Sequence, residues 1–191
     1  MTVACLAEGG CVVRMETLPV ETAVEWVTAW TGLAWPVSWE TAFGIRDRLG
    51  WVAEPENSRF FTTPLSAGEA DGAMTKDGNG LFRGIDFSLS TVVVRGQEEA
   101  DTAAVTWAAY TSYVEALTGL FGKPRTEVRR RGTEDEFRKS KWYLPNGSSF
   151  SLTGLPGVIT VYVFSPEQTW ADLEDQRLTA KYGEGWEDRL D

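Results

Sequence analysis

The chain has 191 residues, 42% of them hydrophobic and 24% charged, with a formal net charge of −10. That length suits one sizeable domain with a real core, and the acidity argues against a general nucleic-acid binder, whose phosphate contacts need a basic face. Histidine is absent altogether, which removes Ser-His-Asp and Cys-His nucleophile activation, imidazole metal ligation and the usual near-neutral proton shuttle.

The opening residues MTVACLAEGG lack the basic flank and long apolar stretch of a signal peptide. No apolar run approaches the ~18–20 residues that span a bilayer. A cytoplasmic protein without a membrane segment is the expectation. Cys5 and Cys11 flank Glu8-Gly9-Gly10, which would turn a short hairpin and bring them close. In a reducing compartment they read as free thiols, and two cysteines without histidine make no zinc set. Residues 1–14 read as a loose arm, with Met15 a second plausible start, and residues 15–191 as a single domain.

After Pro19, the residues Val20, Ala23, Val24, Val27 and Trp30 recur at helical steps. Pro36 blocks continuation, and Ser38 is a good N-cap for a second helix that stops at Gly50. The texture then changes to short strands: RFFTTP, DGAMTK and FRGIDFSLSTVVV. In the last, Ile85, Phe87, Leu89 and Thr91 alternate with Asp86, Ser88 and Ser90, the pattern of a strand buried on one face. Residues 98–121 form the clearest helix, with Ala100, Ala103, Ala104, Trp107, Thr111, Val114, Leu117 and Phe121 on one stripe and Gly122 with Pro124 closing it. Beyond Asp101 this helix carries only Glu115. It is therefore expected to be covered on more than one side, by the first two helices or by a second copy of the chain.

Three more strands follow in FRKSKWYL, SSFSLTGL and VITVYVFS, with Asn146-Gly147 as a hairpin turn between the first two. Ile159–Phe164 is apolar on both faces and reads as central. Pro166 starts a last helix with Trp170 and Leu173 on its inner stripe. The expected class is α+β, an antiparallel sheet with helices packed on one face, in the order αα–βββ–α–βββ–α.

Five of the nine tryptophans lie between Trp26 and Trp51. Trp26 and Trp30 are four apart on one helix face, and Trp35 and Trp39 flank the bend at Pro36. The pattern gives a short helical hairpin a large buried area, at ~150–250 Å² per aromatic. A cation cage would also use several indoles, but no anionic selector stands at a convincing spacing.

The stretch TKDGNGLFRGID, residues 75–86, overlays a calcium loop with Asp77, Asn79 and Gly80 in register. Thr75 stands where the first carboxylate belongs, and Asp86 is too short for the closing bidentate contact. A glycine-rich hairpin turn accounts for the composition, so no metal or cofactor is expected. Ser148, Ser149 and Ser151 have no base partner, and no Walker, dinucleotide or G-x-S-x-G pattern is present. No pair of carboxylates stands out for glycosidase-type chemistry. The basic run KPRTEVRRRGTEDEFRKSK, residues 123–141, holds eight Lys/Arg against four Asp/Glu, a local +4 that leaves −14 elsewhere. Its own acidic residues fit pairing across a hairpin.

A Trp-rich bend, a helix ending hydrophobic-Gly-Trp and a later helix closing Gly-x-Pro occur here at Trp35, Trp39, Gly50, Trp51, Gly122, Pro124 and Trp142. Over residues 20–165 this layout resembles an uncharacterised actinobacterial domain family, and is similar to immunity proteins of bacterial polymorphic toxin systems. The matching positions are packing and capping residues, so the resemblance transfers no functional residue. Strong acidity, the missing catalytic set and a helix–sheet scaffold with a polar sheet face, taken with this resemblance, lead to the expectation of a non-catalytic domain that neutralises a basic toxin through an acidic surface. The candidate contact residues are Asp86, Ser88, Ser90, Glu134, Asp135 and Glu136. The alternatives are a secretion-type chaperone, dimeric through the helix at 98–121 and holding an unfolded segment, and a carboxylate-based hydrolase.

Overall fold

Ser38 and Ser165 each cap a helix, the first by accepting the Thr41 amide at 3.1 Å and the second the Gln168 amide at 3.2 Å. The computed structural model describes residues 3–5, 11–66, 68–94, 96, 99–131 and 135–183. Its helices are α1 (Val20–Thr31), α2 (Trp39–Arg48), α3 (Thr102–Phe121) and α4 (Pro166–Tyr182). The strands are β1 (Val3–Cys5), β2 (Cys11–Val13), β3 (Val52–Ala53), β4 (Phe60–Thr62), β5 (Gly72–Lys76), β6 (Phe82–Ser88), β7 (Arg125–Arg131), β8 (Asp135–Tyr143), β9 (Ser149–Leu155) and β10 (Val158–Phe164). β1 and β2 pair as a hairpin with Cys5 opposite Cys11. The other eight form one antiparallel sheet in the order β3-β4-β5-β6-β10-β9-β8-β7.

The class is α+β, and the large sheet takes four strands from before α3 and four from after it, where the sequence marks three and three. β3 has only two residues, too few to show alternation, and β7 is the first part of the basic run. Sheet edges invite pairing with other chains. Here one edge is very short and the other carries Arg125, Arg129, Arg130 and Arg131.

The helices α1, α2 and α3 cover one face. Trp26, Trp30 and Trp51 are buried there. Trp51 stacks on Phe61 at 4.9 Å and meets Trp26 edge-on at 4.9 Å. Trp35 and Trp39 are half-buried, one stacked on Phe82 and the other edge-on to it. Phe82 reaches this face because β6 has one residue more than β5 in the register between Thr75 and Lys76, leaving Arg83 unpaired. The indoles are packing groups around phenylalanines.

The inward stripe of α3 is Thr102, Thr106, Tyr110, Tyr113 and Leu117, one step out of phase with the expected one. Ala103, Ala104 and Thr111 face solvent. Two of the buried hydroxyls find carbonyl acceptors, Thr106 donating to Thr102 at 2.8 Å and Tyr113 to Leu18 at 2.7 Å, while the Thr102 hydroxyl is buried without a partner. Gly154 on β9 makes room for this helix, since a Cβ there would lie 2.8 Å from the Trp107 ring.

Met15 is buried against α3, and the Glu16 amide donates to Thr91 at 2.9 Å. The chain is thus built into the fold from Met15 onward. α4 lies over the opposite face of the sheet, near β7, β8 and β9. Its inner contacts are polar: Thr169 to Ser149, Asp172 to Lys141 and Gln176 to Arg125. Trp170 is 67% exposed and Leu173 is also exposed, so the expected apolar inner stripe of this helix points outward. None of the described helices is long and apolar enough to cross a membrane.

Candidate functional site on the open sheet face

Because side chains alternate along a strand, the register fixes which residues share the face away from α1–α3. One transverse row crosses seven strands: Phe60, Ala73, Asp86, Tyr162, Ser151, Lys141 and Arg125. A second runs Ser88, Thr160, Thr153, Lys139 and Glu127. Between them lies a hollow of about 390 Å³ whose apolar wall is Phe137, Leu155, Val158, Tyr162 and Phe164. Thr153, Thr160 and Lys139 add polar groups. Ser151 lies beneath, its Oγ buried without a hydrogen-bond partner.

Asp86 is half-buried beside this hollow. Burial pushes its carboxyl up to about 6, because a charge is poorly solvated there. Desolvation likewise raises the Tyr162 phenol, with the Asp86 charge adding to the effect. At neutral pH Asp86 is therefore a carboxylate held at some cost, and a cation from outside would relieve that cost.

Ser88, Ser90 and Glu136 do not join it. Ser88 and Ser90 are buried. Ser90 donates to the Thr91 carbonyl at 3.0 Å and accepts the Ile159 amide at 3.0 Å, so it closes the end of the sheet. Their expected exposure is corrected: β10 pairs along one side of this segment and residues Thr17 and Leu18 bond along the other, and both serines are buried. Glu134 and the side chain of Asp135 lie outside the described residues. Glu136 sits five residues along β8 from Lys141, hence on the other face. It pairs there with Arg138 at 2.5 Å, whose guanidinium lies 4.3 Å over the Trp107 ring.

Lys139, Lys141, Thr153, Thr160 and Tyr162 were missed by sequence reasoning. Their signal was the alternation of hydroxyls with Phe150, Leu152, Val161 and Val163 in β9 and β10, masked because both strands read as continuously apolar or polar. In the glycine-rich turn, Asp77 accepts the Asn79 and Leu81 amides at 2.9 and 2.8 Å. That carboxylate shapes its own loop. Among the described residues no group of three or more acidic or cysteine side chains is placed to hold a metal ion.

Residues 21–165 match the model of a family of unknown function, DUF6301. No curated protein and no solved structure matches the chain.

Proposed function

The chain belongs to the DUF6301 family, and from the open face of its sheet we propose that it is a non-catalytic protein-binding domain of the immunity type. In this reading it neutralises a basic toxin domain, with Asp86 receiving a lysine or arginine of the partner. The single observation that carries the reading is the position of Asp86: half-buried, raised to about 6, and beside an apolar hollow. The net charge of −10 would speed encounter with a basic partner. No acid lines the hollow itself, and Asp86 adjoins it only as the cross-strand partner of Tyr162, an arrangement that favours recognition over paired acid–base chemistry.

The test is co-expression with the product of the gene immediately upstream, followed by affinity measurement over a salt series. A complex that weakens with salt and loses about tenfold in affinity in Asp86→Asn supports the reading, as expected for loss of a charge-assisted contact. A salt-independent complex, an unchanged Asp86→Asn, or a neighbour carrying no toxin domain counts against it.

A further inference from the structure

We propose that the hollow between α4 and the outer side of β7–β8 is a binding site for a phosphoryl group carried by a small organic molecule. It does not use the Asp86 carboxylate, although it shares Lys139 with the hollow beside that residue. The hollow measures about 460 Å³, within the ~300–1,000 Å³ range of small-molecule sites. Arg125, Arg129, Lys139 and Lys141 all line it, a local excess of cations on a chain of net charge −10.

Two of these cations are already matched. Lys141 is only 5% exposed and binds Asp172 at 2.6 Å, with the Tyr143 and Phe164 rings against its ammonium. Arg129 pairs with Glu127. Glu127 also stands opposite Lys139 in the register, but its ion pair is with the arginine, and Lys139 makes none among the described residues. Arg125 donates one N–H to the neutral Gln176 side chain at 2.5 Å. The four cations against Glu127 and Asp172 leave about two positive charges.

A phosphate monoester carries ≈ −1.5 to −2 at neutral pH, which offsets that excess, whereas a single carboxylate offsets half of it. The oxygens of its dianion accept only, matching the guanidinium, ammonium, phenol and amide donors of the lining, whose one carboxylate, Glu127, is paired with Arg129. Lys139 also lines the apolar hollow beside Phe137 and Leu155, so the organic part of the ester would lie there.

The experiment is calorimetric titration at physiological ionic strength with phenyl phosphate, inorganic phosphate and benzoate. The proteins are the wild type, Arg125→Gln and Lys139→Gln, each checked for an unchanged melting temperature. Phenyl phosphate should bind saturably, at least tenfold tighter than benzoate and tighter than inorganic phosphate, and each variant should weaken it at least tenfold. No saturable binding overturns the site, and so does binding unchanged in both variants. Benzoate binding equally well overturns the phosphoryl assignment, and inorganic phosphate binding equally well overturns the organic ester.

Discussion

Asp86 and Tyr162 are direct cross-strand partners, and both project from the sheet face opposite the tryptophan core. The pairing places a carboxylate beside an aromatic ring with little water to solvate it, and this has a measurable cost. The carboxyl is raised from 3.8 to about 6, so the folded state holds its proton more tightly than the unfolded state. Stability from this group is complete below about pH 4 and is lost as pH rises through about 6. Two pKa units correspond to at most ~3 kcal/mol, and partial exposure reduces this to about 1–2 kcal/mol. Asp86→Asn should therefore be more stable than wild type by about that amount at pH 7.5, and no more stable at pH 4, by denaturant unfolding at both pH values. A variant less stable at pH 7.5 would show that the carboxylate has a favourable partner.

The tether of α4 makes a second prediction. Lys141 is buried and Asp172 is one-third exposed. Removing the acid leaves an ammonium inside with only ring contacts, whereas removing the ammonium leaves an acid that water can reach. Asp172→Ala should cost about 2–3 kcal/mol and Lys141→Met less than half of that. Thermal unfolding of the two variants gives the order, and the reverse order contradicts this account of how the helix is held.

Two glycines should respond with opposite signs. A Cβ at Gly154 would lie 2.8 Å from Trp107 and 2.9 Å from Tyr110, while one at Gly44 in α2 meets nothing within 4 Å. Gly154→Ala should destabilise by about 1–3 kcal/mol through overpacking, and Gly44→Ala should stabilise by about 0.5–1 kcal/mol through helix propensity. Chemical denaturation of both decides it.

The indoles separate in the same way. Trp51 is buried against Trp26 and Phe61, whereas Trp170 is largely exposed. Trp51→Ala should cost about 3–5 kcal/mol and Trp170→Ala within about 0.5 kcal/mol, read from melting temperatures.

The capping residues were legible because their effects are local. Ser38, Gly50, Gly122 and Pro166 all sit where the helices begin or end. The Asn146-Gly147 turn is present, with only Gly147 at positive φ. Asn146 also donates to the Leu33 carbonyl at 3.1 Å, a link to the helical hairpin that no local pattern shows. The phase of α3 was misread because threonine and tyrosine counted as surface residues, while the hydroxyls of Thr106, Tyr110 and Tyr113 find partners inside. The inverted α4 depends on Lys141 and Arg125, more than thirty and fifty residues earlier in the chain, respectively. Of the expected contact residues whose side chains are described, Asp86 lies half-buried on the open face, Ser88 shares that face by register but is buried, and Ser90 and Glu136 lie elsewhere. Strand alternation alone does not tell which face the rest of the molecule covers.

The open sheet face as the docking surface is tested most directly by comparing two arginines in one titration against the neighbouring toxin domain. Thr160→Arg fills the hollow beside Asp86, while Glu21→Arg changes an exposed site on α1, across the sheet. The account predicts that Thr160→Arg abolishes the complex and that Glu21→Arg weakens it no more than added salt does. A complex that survives Thr160→Arg and is lost with Glu21→Arg would place the partner on the helical side and contradict it.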